Sequence, residues 1–202
     1  MKTTLAVALF ATGGLWAQTQ DANRSIPVPA PRPYVKMTAH DRLNNYLKGL
    51  VSPVSFLRTG AGAGWGQLRD RPSQWGEGGQ GYAKRFASGY AQHIVTATIM
   101  YGTSSALHED DRYLRLGPGP STKSRVRYAL ESSVLARHED GTRHIAIAKL
   151  IAVGAGAAIS RAWQPHDSRT KMGAVASFGV TMGVSSGFDV LREFLPDLLH
   201  RK

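Results

Sequence analysis

Two short clusters of histidine and carboxylate residues contain side chains that could bind a metal ion or take part in catalysis. His108 and Asp110 lie in one His-Glu-Asp run, and His138 and Asp140 lie in a second run thirty residues later, with His144 just beyond. Imidazoles and carboxylates are the zinc ligands available to a chain without cysteine, so one hypothesis is a metal-assisted hydrolase. Neither cluster has the His-x-x-x-His spacing of a helical metalloprotease site. The alternative interpretation is a pair of polar loops whose carboxylates pair with arginines.

A glycine-rich run provides a second candidate, either for a ligand site or for a structural motif. It reads Pro-Ser-Gln-Trp-Gly-Glu-Gly-Gly-Gln-Gly-Tyr over residues 72–82, and its glycine density predicts an ordered turn. We expect a ligand site if this run meets the turn at 110–113 around a cavity, and a structural brace if it only supports helices. The residues of this candidate are Trp75, Gly78, Gly81, Tyr82, Arg85, Asp110, Arg112 and Tyr113.

Several kinds of catalytic site are excluded by the sequence. The chain contains no cysteine, which excludes disulfides, thiolate nucleophiles and Cys-ligated zinc. It has no Gly-x-Ser-x-Gly nucleophile elbow, and no Gly-Lys-Ser or Gly-Lys-Thr follows its glycine-rich tracts. We therefore assign no catalytic residue, expect no cofactor and favour a non-enzymatic role.

The charge balance indicates which partners the protein attracts. The 202 residues include 25 Lys and Arg against 14 Asp and Glu, a net charge of +11 at pH 7. Such a balance favours membrane lipid or anionic envelope polymers. The basic residues do not form a single stripe, so nucleic acid is not an expected partner. A periplasmic binder of anionic envelope polymers or lipids is therefore an alternative function.

The N-terminal region predicts export. Residues 1–17 combine Lys2, an apolar stretch over 5–10 and a small-residue tract before Ala17, which is the layout of a secretory signal peptide. Residues 18–37 follow as a linker with proline at alternate positions from Pro27 to Pro33, which favours an extended chain. We expect a single helical domain over 38–202, located in the periplasm or outer envelope and able to associate with a membrane.

The remaining pattern predicts an all-α fold, a compact bundle of about four to six helices. A short amphipathic helix carries Leu43, Leu47 and Leu50 and ends before Pro53, where Ser52 is the expected N-cap of the next helix. No stretch alternates cleanly as a strand would. The longer predicted helices are 82–107, 123–137, 144–163 and 168–195, with Pro196 expected to stop the last one.

Small residues recur at four-residue spacing in three of these helices. Such ribbons let helix backbones approach closely, either in a membrane or in a water-soluble bundle, and they allow a homo-oligomer. Both interpretations stay open, because glycine lowers helix propensity by about 1 kcal/mol per site and close packing must offset that cost. The ribbons are Thr98, Gly102 and Ala106; Ala148, Ala152, Gly156 and Ser160; and Gly179, Gly183 and Gly187.

Three runs of sequence are similar to those of a known group of proteins. Residues 72–86, the Glu-Asp-Asp-Arg-Tyr of 109–113 and the Glu-Phe-Leu-Pro-Asp of 193–197 resemble an uncharacterised family of exported, helix-rich soil-bacterial proteins, over most of the chain from Leu50 onward. Relatives tend to have proline where this chain has Asp111. The resemblance implies helical architecture and export, and it carries no activity, cofactor or catalytic residue. The resulting expectation is an exported, non-enzymatic envelope protein, a membrane-associated or membrane-embedded helical bundle.

Overall fold

A computed structural model describes residues 34–199 of the protein. The predicted signal peptide and most of the predicted linker lie outside these residues. Within them the fold is a helical bundle with one small antiparallel sheet, ordered β1-β2-β3, so the predicted all-α class is confirmed. The helices are α1 (Ala39–Leu50), α2 (Pro53–Leu68), α3 (Gly78–Ala106), α4 (Thr122–Glu131), α5 (Ile147–Ile159) and α6 (Lys171–Leu199), and the strands are β1 (Glu109–Asp110), β2 (Leu135–His138) and β3 (Arg143–Ile145).

Local capping sets the boundary between α1 and α2. Thr38 and Asp41 form a reciprocal capping box at the start of α1. The Ser52 hydroxyl accepts a hydrogen bond from the N–H of Ser55, and Pro53 is the first residue of α2. Proline fits this position because the first helical N–H has no partner within the helix. The predicted end of α1 and start of α2 are thus confirmed.

The small-residue ribbon of α5 packs directly on α3. Ala148, Ala152 and Ser160 are completely buried, and Gly156 faces Thr96 of α3. A Cβ at Gly156 would lie 2.0 Å from the Thr96 Oγ1, so only glycine permits this crossing. This ribbon is a close-packing face, as its spacing predicts.

The ribbon of α6 has a different environment. No atom lies within 4 Å of a Cβ built at Gly179, Gly183 or Gly187. Helix α6 instead packs on α4 and α5, and its buried residues, Asp189 and Glu193, lie toward its C-terminal end. Within residues 34–199 the α6 ribbon is therefore an open face.

Pro196 does not stop α6, which corrects the sequence prediction. The helix continues to Leu199 with Pro196 inside it. One turn earlier, the Glu193 carbonyl accepts hydrogen bonds from Arg115 Nε at 2.8 Å and Arg125 Nη2 at 2.6 Å. Proline removes a helical donor, and these two arginines bind a carbonyl beside it. Contacts with the rest of the bundle therefore support the last turn.

Two predicted helix boundaries were wrong, at the place where the sheet forms. Helix α4 ends at Glu131 rather than 137, and α5 begins at Ile147 rather than 144, because the residues between them form the β2–β3 hairpin. Asp140 accepts hydrogen bonds from the N–H and hydroxyl of Thr142, and Gly141 has a φ of +83°. These are turn contacts, and glycine adopts that φ without strain.

The glycine-rich run also departs in part from its prediction. A turn is present, but it ends at Glu77, and the glycines from Gly78 onward belong to the first turn of α3. A Cβ at Gly81 would lie 2.2 Å from the Gly76 carbonyl oxygen. The glycine density therefore serves close approach of the loop to the helix as well as turn formation.

Candidate functional site

The interior beside α6 is charged rather than apolar. Glu109 and Glu193 are the largest completely buried side chains among the described residues, and Asp110, Arg125 and Asp189 are nearly as buried. Buried charges are costly unless they are paired and hydrogen-bonded. The partners of each group therefore show whether it supports the fold or forms a site.

Glu193 is a fully partnered structural carboxylate. Its oxygens accept hydrogen bonds from the Tyr113 hydroxyl at 2.8 Å, from Arg125 Nε at 2.9 Å, and from the backbone N–H groups of Leu116 and Gly117 at 3.0 Å. Burial, together with this hydrogen bond to Glu193, raises the pKa of Tyr113 well above its usual range. The phenol therefore stays protonated and holds the 113–117 loop on α6.

Glu109 and Asp110 position the strand that follows α3. Glu109 accepts hydrogen bonds from the N–H groups of Ile147 and Ala148 at 3.1 and 3.2 Å. It therefore caps the N-terminus of α5, where a negative charge is favourable. Asp110 is held by the guanidinium of Arg112, with Arg112 Nη2 to Asp110 Oδ2 at 2.6 Å. Both carboxylates are occupied by structural partners.

A cavity of about 180 Å³ lies among these elements. Its wall combines the 109–114 segment with side chains from α2, α4, α5, α6 and the sheet. The carboxylates of its lining are Glu109, Asp110, Asp111 and Asp189. The cationic residues of its lining are Arg58, Arg112, Arg137, Arg143, Lys149 and Arg192.

Asp189 is the carboxylate around which cations collect. Its oxygens lie 3.7 Å from Arg58 Nη2 and 3.8 Å from Lys149 Nζ, beyond hydrogen-bonding distance. Burial lowers the pKa of both cations; the charge of Arg192 lowers both further, while that of Asp189 raises both. This end of the cavity therefore holds more positive charge than its carboxylate neutralises.

Arg58 also has hydrogen-bonding capacity that no described residue uses. Its Nε and Nη2 are inaccessible to solvent, and neither has an acceptor within residues 34–199. The same holds for Nε of Arg137. Unpaired buried donors are rare in native proteins and each requires an explanation. At this cavity the two arginines can supply unused donors to an acceptor-rich ligand.

The predicted ligand motif divides between two places. Asp110, Arg112 and Tyr113 line the cavity. The other five residues form a separate loop and helix junction, where Arg85 is buried and Tyr82 donates to the Gly60 carbonyl at 3.3 Å. The two halves do not surround one cavity, so the condition for a shared ligand site is not met.

Arg85 makes the glycine-rich half of that motif a brace. All of its guanidinium nitrogens donate hydrogen bonds, to the loop that joins α2 to α3 and to the last turn of α2. Because every donor is used on the protein itself, this arginine is left with no donor for a ligand. Its acceptors are the backbone carbonyls of Arg71, Pro72 and Gly76 and the side chains of Gln67 and Asp70.

Two of the predicted metal ligands, His138 and His144, are in contact with each other. The His138 and His144 rings are edge to face with centroids 4.9 Å apart, whereas His108 contacts Glu139 at 3.2 Å. Asp140 is used in the hairpin turn. Within residues 34–199 no group of three or more metal-ligating side chains is close enough to hold an ion. The geometry thus supplies no ligand set for the hydrolase hypothesis.

Sequence reasoning did not select the cations that define the cavity. Arg58 and Lys149 are the lone charges of α2 and α5, in otherwise neutral helices. A single charge in a helix without other charges is the signal that would have found them, since such a residue requires a buried partner or a ligand.

The comparisons with known proteins add no relative. No family model matches the chain, and no curated protein or solved structure is significantly similar to it. One helix of the described part, α6, is long and apolar enough to cross a membrane, judged by length and composition alone. That property allows membrane association.

Proposed function

We propose that the protein is an exported, non-enzymatic cell-envelope component, a helical bundle that associates with a membrane through the apolar surfaces of its helices. The observation that carries this proposal is the distribution of apolar and charged side chains. Charged groups occupy the interior, whereas many large apolar side chains point outward. An extensive exposed apolar surface marks an interaction with a partner or a membrane.

The apolar interior is small. Most of its buried apolar side chains are alanines, and those larger than alanine in the described part are Met37, Leu116, Tyr128 and Val153. By contrast, Leu68 is 83% exposed and Met172 is 74% exposed. Removing such side chains from water is favourable by about 25 cal/mol per Å². Contact with lipid would supply that stabilisation where the protein core does not.

Helix α6 is the element best suited to that contact. The part of α6 before its buried carboxylates, residues 171–188, spans about 27 Å at 1.5 Å per residue, close to the hydrocarbon layer of about 30 Å. Its apolar stretch is almost entirely unburied, with Val175 and Val180 exposed and its glycine ribbon open. Its charged turns at 189–197 are held in the bundle by ion pairs with arginines, so the part proposed to contact lipid is 171–188.

A second apolar surface lies on α2 and the start of α3. The rings of Phe56, Phe86 and Tyr90 stack, with Phe56 and Tyr90 centroids 5.1 Å apart. Phe56 and Phe86 border an open groove together with Leu57 and Tyr82. Aromatic residues with a polar edge are common at membrane interfaces. This groove would add a peripheral contact to that of α6.

Cell fractionation tests the proposal directly. Expressing cells would be separated into an osmotic-shock fraction and a membrane pellet, and the pellet washed with high salt and then carbonate. We expect the processed protein to stay in the pellet through the salt wash, since the contact is apolar. Retention after carbonate would show insertion of α6, and release by carbonate would show peripheral association. Recovery of the wild-type protein in the shock fluid would overturn the proposal.

A matched pair of variants locates the contact. Val175→Lys with Val180→Lys places two charges on the apolar stretch of α6, and we expect it to move the protein toward the salt-wash supernatant. Ile145→Lys changes an equally exposed apolar residue on the sheet and should leave the distribution unchanged. Equal release of both variants would contradict the assignment of α6.

A further inference from the structure

We propose that the cavity beside Asp189 binds a small oxyanion of the phosphate class, held by Arg58, Lys149 and Arg192. This inference goes beyond the proposed membrane association and does not depend on it. It stands on the arrangement of charges around the cavity and on buried donors that lack acceptors.

The carboxylates of the cavity do not balance its cations. Six cationic residues and four carboxylates line it. Three of those carboxylates have hydrogen-bonding partners: Glu109 binds the first amides of α5, Asp110 binds Arg112, and Asp111 accepts from Asn45. Asp189 faces Arg58, Lys149 and Arg192, which come from three different helices. A local excess of two positive charges in a partly enclosed site favours an anion.

Two donors of Arg58 lack acceptors beside this excess of positive charge. Arg58 Nε and Nη2 form one edge of the guanidinium fork, and both are buried with no acceptor in the described residues. The Arg58 guanidinium is also held in place, because it lies over the Phe188 ring with its carbon 4.9 Å from the ring centroid. Two parallel N–H donors on one edge match two oxygens of one anion. An anion that reaches this edge would give both donors the acceptors that they lack within residues 34–199.

The number of cations favours phosphate over a carboxylate. Arg58, Lys149 and Arg192 approach from α2, α5 and α6, so a ligand that satisfies all three needs acceptors in three directions. A tetrahedral oxyanion offers them, whereas a carboxylate has two oxygens in one plane. The cavity of about 180 Å³ is of the right order for one phosphate group with some water. Inorganic phosphate and the headgroup of an anionic phospholipid share this chemistry.

Calorimetric titration of the full-length protein in mild detergent with inorganic phosphate tests the site. We expect saturable binding that Arg58→Gln weakens about tenfold or more, since it removes a charged two-donor contact. Arg127→Gln is the matched control, because Arg127 is exposed and does not line the cavity. It should bind phosphate as the wild type does.

Asp189→Asn keeps the proposal falsifiable even if Arg58→Gln folds poorly. It removes the negative charge that faces the ligand while preserving shape, so we expect tighter phosphate binding. Circular dichroism would verify the fold of each variant. Absence of saturable phosphate binding in both the wild type and Asp189→Asn, or equal affinity for Arg58→Gln and Arg127→Gln, would overturn the proposal.

Vesicles distinguish the two sources of phosphate. Wild type and Arg58→Gln would be mixed with phosphatidylglycerol vesicles, with phosphate or chloride of equal ionic strength as competitor. Release by phosphate and weaker binding of Arg58→Gln would assign a lipid headgroup. Equal vesicle binding of the two proteins, with phosphate binding lost in Arg58→Gln, would assign free phosphate. Because the titration contains no membrane, its result is separate from the fractionation.

Discussion

Two arginines with buried guanidinium nitrogens, one in α2 and one in α3, are surrounded in opposite ways. Arg85 donates to three backbone carbonyls of the α2–α3 loop and to the side chains of Gln67 and Asp70. Arg58 faces a cavity, and two of its buried nitrogens have no acceptor within residues 34–199. A guanidinium whose donors are all used on the chain stabilises the fold, whereas one with unused buried donors is available to a ligand. Partner geometry, rather than residue type, separates a brace from a site.

The largest expected effect is that of Arg85→Met. The substitution keeps much of the apolar volume but leaves the carbonyls of the 71–76 loop without their donor. We expect the free energy of unfolding to fall by about 3 kcal/mol, since each lost charged hydrogen bond contributes about 1.5–3 kcal/mol and the loop can be partly rehydrated. Urea unfolding followed by circular dichroism measures it. Lys84→Met, at an exposed neighbouring position, is the control, and equal unfolding of the two variants would refute the brace.

Gly81→Ala tests the close backbone contact between the same loop and α3. Its Cβ would lie 2.2 Å from the Gly76 carbonyl oxygen, which itself accepts from Arg85. We expect a loss of about 2 kcal/mol, within the range for overpacking. Gly79→Ala is a matched control, because nothing lies within 4 Å of its Cβ. The control should be neutral or more stable, since alanine is the better helix former. Equal stability of the two variants would show that the loop moves to accommodate the added methyl group.

Added phosphate should stabilise the other region. A ligand at about ten times its Kd raises the free energy of unfolding by about 1.4 kcal/mol. We expect this increase in the wild type and in Arg85→Met, since the brace lies outside the cavity. Chloride at equal ionic strength controls for screening of surface charge. An equal increase with chloride would show that the stabilisation is nonspecific.

How much the sequence could predict depends on the distance over which the contacts act. Ser52 and Pro53 set a helix start by local capping, and the α5 ribbon predicts close packing from spacing alone. The prediction that Pro196 stops α6 was wrong, because arginines distant in the chain support the turn around it. The cavity depends on Arg58, Lys149 and Asp189, which come from three helices far apart in sequence. No local pattern joins them, although the Asp110–Tyr113 turn that lines the cavity was selected as a candidate.

The smallest expected effect is that of Arg58→Met, which completes the comparison with Arg85→Met. Arg58 Nη2 makes an ion pair with Asp189 at 3.7 Å and the guanidinium packs on Phe188, but Nε and Nη2 have no hydrogen-bond acceptor within residues 34–199. Removing them relieves a desolvation cost, and the loss of the ion pair opposes that gain. We therefore expect the free energy of unfolding to change by less than about 1 kcal/mol, while phosphate stabilisation disappears. Urea unfolding with and without phosphate measures both quantities. A loss as large as that of Arg85→Met, with phosphate stabilisation retained, would make Arg58 a second brace and remove the distinction between the two regions.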